Sequence, residues 1–197
     1  MPKIVDKDEM RNSILDAVAR VYTTKGYHAA TIADVAEQAG LGKGTLYLYF
    51  KNKEAMTTAL IERHFASIEE KYMSAPLPET LDVFVEELSV TVSIPDEHAR
   101  FIRVFFEVFG PSFASEEFTQ NIADFFERMG AHYAKSISHL QAAGEVRECI
   151  DAALFGRALA SLIDGIILHR GLFSIAKKRQ AKLNSEALEA LANGLRV

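Results

Sequence analysis

Residues 31–54 of this chain read TIADVAEQAGLGKGTLYLYFKNKE, and this stretch decides the fold. Thr31 can cap a helix through its hydroxyl, and Asp34, three residues further on, suits the positive helix end. Ile32, Val35, Ala36 and Ala39 then form one apolar face. The glycines of residues 40–42 make a tight turn into a second short helix over 43–50. This order of elements predicts a helix-turn-helix, whose second helix enters the DNA major groove.

The second helix of this motif divides into an inner and an outer side. Leu46 and Phe50 are four residues apart and can anchor the helix on a core. Lys43, Thr45, Tyr47 and Tyr49 are expected to face outward, where their side chains can donate to phosphate oxygens or reach base edges. Residues 40–45 (GLGKGT) partly resemble a phosphate-binding loop. They do not match its pattern, because glycine rather than Ser or Thr follows the lysine and no strand precedes the segment.

Residues 31–54 resemble the signature of the TetR/AcrR family of transcriptional regulators, and the resemblance covers about residues 10–60. It implies a DNA backbone contact for Thr31, Tyr47, Tyr49 and Lys53, and a place in the groove for Lys43, Gly44 and Thr45. Gly44 has no side chain, so base discrimination is expected from Lys43, Thr45 and DNA shape. Taken singly, Thr31 could serve only as a helix cap and each tyrosine could be half-buried.

Helical spacing of apolar residues continues through the rest of the chain and predicts an all-α fold of about nine helices. We expect a helix-turn-helix domain over residues 1–52 and a helical effector-binding and dimerisation domain over 53–197. Residues predicted to begin or end helices are Gly26, Asn52, Gly144, Asp151 and Ser185, with a loop at 74–78.

Charge is unevenly distributed. The net charge is −5, but residues 1–53 hold eight Lys/Arg against six Asp/Glu, so a head with an excess of +2 precedes an acidic body. The single cysteine and the charged N-terminus favour a cytoplasmic protein, and Asp164 interrupts the most apolar stretch, so no membrane association is expected. Histidine and cysteine spacing fits no metal site, and no catalytic motif occurs; we therefore expect no enzyme, metal or cofactor.

Eight of the thirteen phenylalanines fall within residues 101–126. They could simply fill a core, but the family resemblance raises the alternative of an effector pocket for an apolar or aromatic small molecule or an acyl chain. The residues expected to line it are Phe101, Phe105, Phe109, Phe125, Phe126, Met129, Tyr133 and Ile163.

The segment from Asp151 to Arg170 is apolar around most of a helix, so it must be covered on more than one side. A second copy of the chain is the natural cover, and a buried central helix in a monomer is the alternative. Leu154, Ala158, Leu162, Ile166, Leu188 and Leu191 are the residues expected at the dimer interface. The function expected from these features is a dimeric repressor that binds a palindromic operator and is released when an effector moves the fourth helix.

Overall fold

The computed structural model describes residues 7–110, 116–173 and 175–197, and within them the chain is helical without a strand. Nine helices occur in these ranges: α1 (Lys7–Lys25), α2 (Ile32–Ala39), α3 (Lys43–Tyr49), α4 (Lys53–Met73), α5 (Leu81–Val92), α6 (Asp96–Phe109), α7 (Glu116–Ala142), α8 (Ala152–Leu172) and α9 (Lys177–Leu195). The predicted all-α fold is confirmed.

Most helix ends lie where turn and cap chemistry predicted them. Gly26 follows α1 with φ 79° and Gly144 follows α7 with φ 75°, a left-handed conformation that favours glycine. Asn52 accepts a hydrogen bond from the Ala55 amide at 2.8 Å at the start of α4. Asp151 accepts from the Ala153 and Leu154 amides, both at 3.0 Å, at the start of α8.

The start of α9 was predicted wrongly. The helix begins at Lys177, and Ser185 is an exposed residue within it rather than its cap. Residues 177–183 are lysine, arginine, glutamine, alanine and leucine, which are strong helix formers and need no cap to continue a helix. The inward residues there are polar: Gln180 donates to Asn184 at 2.8 Å, and Asn184 donates to the Val92 carbonyl at 3.4 Å.

The described residues divide into two compact units. The first comprises residues of Met1–Ile68 and Arg103–Pro111, and the second those of Glu69–Ile102 and Ser112–Val197. Both α4 and α6 therefore begin in one unit and end in the other. The division at residue 52 stays a prediction about which segment carries the DNA-binding function.

The core of the first unit forms where α1, α2 and α3 meet the first turns of α4. Ile14, Val18, Leu46 and Met56 are fully buried there. The Tyr22 hydroxyl is hydrogen-bonded to the Thr57 hydroxyl at 3.0 Å, and burial raises the pKa of this tyrosine to about 12. Helix α3 therefore packs on a well-filled core.

Close packing of α7 on α8 holds the second unit together. A Cβ atom on Gly156 of α8 would lie 2.5 Å from the Gly130 carbonyl oxygen of α7, so only glycine lets the two backbones approach this closely. Among the described residues, α8 is the one helix long and apolar enough to cross a membrane, although core helices of soluble proteins pass the same test of length and composition.

Candidate nucleic-acid interface

The capping box at the start of α2 forms as predicted and involves more groups than the sequence indicated. The Asp34 amide donates to the Thr31 hydroxyl oxygen at 3.2 Å, and the Thr31 amide donates to Asp34 Oδ2 at 2.9 Å. Lys25 adds an ion pair to Asp34 Oδ1 at 2.8 Å. The Lys25 hydrogen bond, followed by those of Thr31, lowers the pKa of Asp34 to about 2.

This network limits what Thr31 can offer to DNA. Its hydroxyl donates to Asp34 Oδ2 at 3.0 Å, so the one hydroxyl proton is already used. To donate to a phosphate, Thr31 would have to exchange its bond to Asp34 for one to the phosphate oxygen. Its predicted DNA contact remains a prediction.

Helix α3 is held by Leu46 and Phe50, which are both buried, and Arg11 lies over the Phe50 ring at 4.8 Å. Lys43 and Gly44 are exposed, and Tyr47 is 54% exposed. Thr45 and Tyr49 are only partly accessible, so their predicted outward orientation holds in part. The outer face of α3 therefore consists mainly of residues 43, 44, 47 and 48.

Leu48 is the residue of this face that the sequence reasoning missed. It is 82% exposed, although the sequence interpretation assigned it to neither the inner nor the outer side of the helix. The signal was available, because Leu46 and Phe50 already define the inward side and Leu48 lies between them in sequence, about 160° away from either around the helix.

Lys53 has its ammonium engaged inside the first unit. It donates to the Tyr27 carbonyl oxygen and lies 4.0 Å from the centre of the Tyr27 ring. Burial lowers its pKa. A phosphate contact by Lys53 would have to use its remaining protons or a different side-chain conformation.

Glu107 of α6 belongs to the first unit. Its carboxylate oxygen accepts from the His28 amide at 3.4 Å, and it also lies near Gly26 in the turn that joins α1 to α2. Sequence analysis could not place a residue seventy-nine positions away at this turn. Glu107 thereby connects the end of α6 to the helix-turn-helix.

A cavity of about 320 Å³ lies in the second unit between α5 and α7, next to the end of α4. Its walls include Phe84, Leu88, Tyr133, Glu87 and His132. Burial raises the pKa of Glu87 and lowers that of His132, with Lys135 adding to the second shift. The lining therefore combines aromatic and aliphatic side chains with charged and polar ones, which also include Lys71, Glu86 and Ser136.

Among the predicted pocket residues whose side chains the structure describes, only Tyr133 lines this cavity. Phe125, Met129 and Ile163 are buried, Phe126 is half-buried, and Phe105 belongs to the first unit, where its ring meets Phe65 at 6.1 Å. The side chains of Phe101 and Phe109 lie outside the described residues. The cavity therefore combines Tyr133 with residues of α5, and the pocket formed by the full predicted set stays a prediction.

The predicted dimer residues fall on two sides of their helices. Leu154, Ala158 and Leu162 of α8 are exposed and form an apolar outer face. Ile166 and Leu188 are instead buried within the chain itself, because they lie on the inward sides of α8 and α9, and Leu191 is half-buried. The two buried residues belong to the core rather than to this outer face.

Taken together, the capped α2, the turn at Gly40 with φ 65° and the exposed outer face of α3 with Lys43 and Tyr47 define a helix-turn-helix protein. Residues 14–60 match the family model "Bacterial regulatory proteins, tetR family", and residues 85–193 match "BetI-type transcriptional repressor, C-terminal". The second match covers more than half of the chain. The chain belongs to the TetR family, whose members are DNA-binding transcriptional regulators and not enzymes.

Individual relatives are similar over different lengths. The fatty acid metabolism regulator protein of Bacillus subtilis (strain 168) is 40% identical over 58 residues, which are 29% of this chain and 30% of that protein. The uncharacterised regulator YfiR of the same organism is 24% identical over 172 residues, 84% of this chain and 83% of that protein. A putative regulator from Saccharomonospora viridis, solved in complex with choline, has a TM-score of 0.73 at 18% identity and covers 97% of this chain and 100% of its own.

Proposed function

We propose that this chain is a cytoplasmic, dimeric repressor that binds a palindromic operator through α3 and is released by a small molecule. The observation that carries the proposal is the outer face of α3, where Lys43 and Tyr47 stand free of the core on a helix fixed by Leu46 and Phe50. The match of residues 85–193 to a repressor's C-terminal model supports repression over activation.

Charge supports binding in pairs. The head carries a small basic excess, so a single copy would be attracted to DNA only weakly, and two copies double that attraction. Two α3 helices related by a two-fold axis would read the two halves of an inverted repeat. Thr31, Tyr49 and Lys53 complete the proposed backbone contacts, with Gly44 and Thr45 close to the groove.

The outer face of α8 is the proposed contact between protomers. Leu154 is 72% exposed, and together with Ala158 and Leu162 it forms an apolar stripe that is exposed to solvent in the single chain. Leu154→Asp with Leu162→Asp should give a monomer that binds the operator poorly, while Leu77→Asp, on an exposed loop, should remain dimeric. Light scattering during size-exclusion chromatography measures this, and an unchanged dimer would exclude α8 as the interface.

The cavity between α5 and α7 is the proposed effector site, suited to an apolar or aromatic molecule with a polar group for Glu87 or His132. Lys71 at the end of α4 also lines it, so an occupant could shift α4, which begins in the unit that carries α3. Such an effector changes DNA affinity only by its preference between the two conformations.

A substitution at the cavity rim tests this site. Val90 lines the cavity and is exposed, so Val90→Trp should cover the opening without a clash in the core. Among small aromatic and aliphatic molecules screened for operator release, an active one should lose its effect on Val90→Trp and keep it on Leu77→Trp. Release of both variants at equal concentration would place the effector elsewhere.

Selection of bound duplexes from a random pool tests DNA binding itself. We expect an inverted repeat whose affinity falls steeply with salt, because Lys and Tyr contacts to phosphate displace counterions. Tyr47→Phe removes one hydroxyl from each protomer. Losing a hydrogen bond to a charged group costs about ten-fold in affinity, so the dimer should bind about a hundred-fold more weakly. Leu77→Ala, at an exposed residue of the second unit, is the control. No enrichment over random duplex would refute the proposal.

A further inference from the structure

The outer face of α3 carries an apolar side chain that neither the core nor the proposed phosphate contacts use. Leu48 is the most exposed large apolar side chain among the described residues, at 82%. Its neighbours in sequence, Tyr47 and Tyr49, can donate hydrogen bonds to DNA, but leucine has no polar group. Its presence on this face therefore needs a different partner chemistry.

Leu48 shares a stripe of the helix with Gly44, because residues four apart lie above one another. Apart from the neighbouring backbone of α3 itself, no described atom lies within 4 Å of the position where a Cβ on Gly44 would stand, so this part of α3 is open. Thr45, expected from the sequence to discriminate bases, lies on the partly covered side. Gly44 contributes no side chain to this stripe, so Leu48 is the side chain that projects from it.

We propose that Leu48 reads thymine by contact with its 5-methyl group in the major groove. This inference rests on the proposed DNA binding through α3. Base edges in the major groove present hydrogen-bond donors and acceptors, and the 5-methyl group of thymine is the apolar group among them. A leucine on the groove-facing side gains free energy only where it removes apolar surface from water, which selects a thymine over a cytosine at the position it meets.

The size of the effect follows from the methyl group alone. Removing one thymine methyl from a contact with Leu48 should weaken binding by about four-fold, the equivalent of one buried methylene. A palindromic operator bound by two protomers contains the contact twice, so removing both methyls should weaken binding by about fifteen-fold.

The experiment uses the full chain and the duplex selected from the random pool. Each symmetry-related pair of thymines is replaced by deoxyuridine, which lacks the methyl and keeps the pairing edge, and the dissociation constant is measured for each duplex. We expect one pair of positions at which deoxyuridine weakens wild-type binding by about fifteen-fold. Leu48→Ala should show no such loss there, and Leu48→Met, which keeps an apolar reach, should retain it.

Leu77→Ala, an exposed leucine of the second unit, is the control and should behave as wild type. Equal thermal unfolding of Leu48→Ala and wild type would show that the substitution leaves the fold intact. Equal deoxyuridine sensitivity in Leu48→Ala and wild type, or the lack of any thymine position at which deoxyuridine weakens wild-type binding, overturns the inference while the proposed function stands. Failure of the wild-type chain to bind any duplex overturns both.

Discussion

Replacing Gly156 by alanine should force α7 and α8 apart. The new Cβ would lie 2.5 Å from the Gly130 carbonyl oxygen and 2.6 Å from the Ala134 amide nitrogen, both backbone atoms that no rotamer change can move. Reaching an ordinary contact of 3.4 Å requires the helices to separate by about 0.9 Å. A gap of this size forfeits a quarter to a half of the van der Waals attraction of the atoms along the interface.

The expected loss combines two opposing terms. Overpacking of this kind destabilises a protein by about 3 kcal/mol at the upper end of its usual range, and the better helix propensity of alanine returns about 1 kcal/mol. The net loss of about 2 kcal/mol corresponds to a Tm about 4–8 °C lower for a chain of this size.

Thermal unfolding followed by far-ultraviolet circular dichroism measures this shift, and Gly165→Ala on the same helix is the matched control. No atom lies within 4 Å of the Cβ position of Gly165 in the single chain, so this variant should gain stability from helix propensity alone. A Gly156→Ala protein that melts at or above the wild-type Tm would refute the argument that backbone contact at Gly156 limits the approach of α7 to α8. A destabilised Gly165→Ala protein would indicate that a second protomer approaches α8 at that glycine.

Three further predictions concern charged groups. The pKa of Asp34 is lowered to about 2, so its contribution to stability is present above the unfolded-state pKa near 3.8 and is lost as the pH falls toward 2. Asp34→Asn should flatten this part of an acid-unfolding curve, and an unchanged curve would contradict a stabilising role of the Asp34 carboxylate. Burial raises the pKa of Asp164 on α8 to about 6, so the folded state loses stability as pH rises from about 3.8 to 6. Asp164→Asn should therefore raise the free energy of unfolding at neutral pH by at most about 3 kcal/mol, seen as a higher Tm, and leave Tm unchanged below pH 3.8. Equal Tm shifts at both pH values would argue against a buried charge. Arg128 donates to Glu69 at 2.6 Å and joins α7 to the end of α4. Arg128→Ala should change the free energy of unfolding by less than about 1 kcal/mol, but it should alter the effector concentration that releases the operator. An unaltered release curve would remove this ion pair from the proposed coupling.

Local chemistry made the DNA-binding segment predictable. Thr31 and Asp34 lie three residues apart, Gly40 takes a left-handed conformation, and Leu46 and Phe50 share a face, so each feature depends on neighbours in sequence. The same kind of reasoning failed for α9, where Ser185 indicated a cap although the preceding residues already favour a helix.

Long-range packing decided what local patterns could not. The cluster of phenylalanines was compatible with a filled core and with a pocket, whereas the structure packs Phe105 in the first unit and buries Phe125 in the second. The apolar stripe of α5 is equally compatible with a solid core and with a cavity wall, since periodicity reports which side is inward and not how completely that side is filled. Glu107 reaches the turn at His28 only through the tertiary fold.

The return of α6 to the first unit has a consequence for anyone who would transplant the DNA-binding part of this chain. A fragment that ends after α4 contains every residue proposed to touch DNA, yet it lacks Glu107 at the Gly26–His28 turn and Phe105 against Phe65. A chimera that joins this head to a foreign effector domain should therefore carry the second half of α6 as well. The sequence specificity of such a hybrid will depend on a segment that never meets the operator.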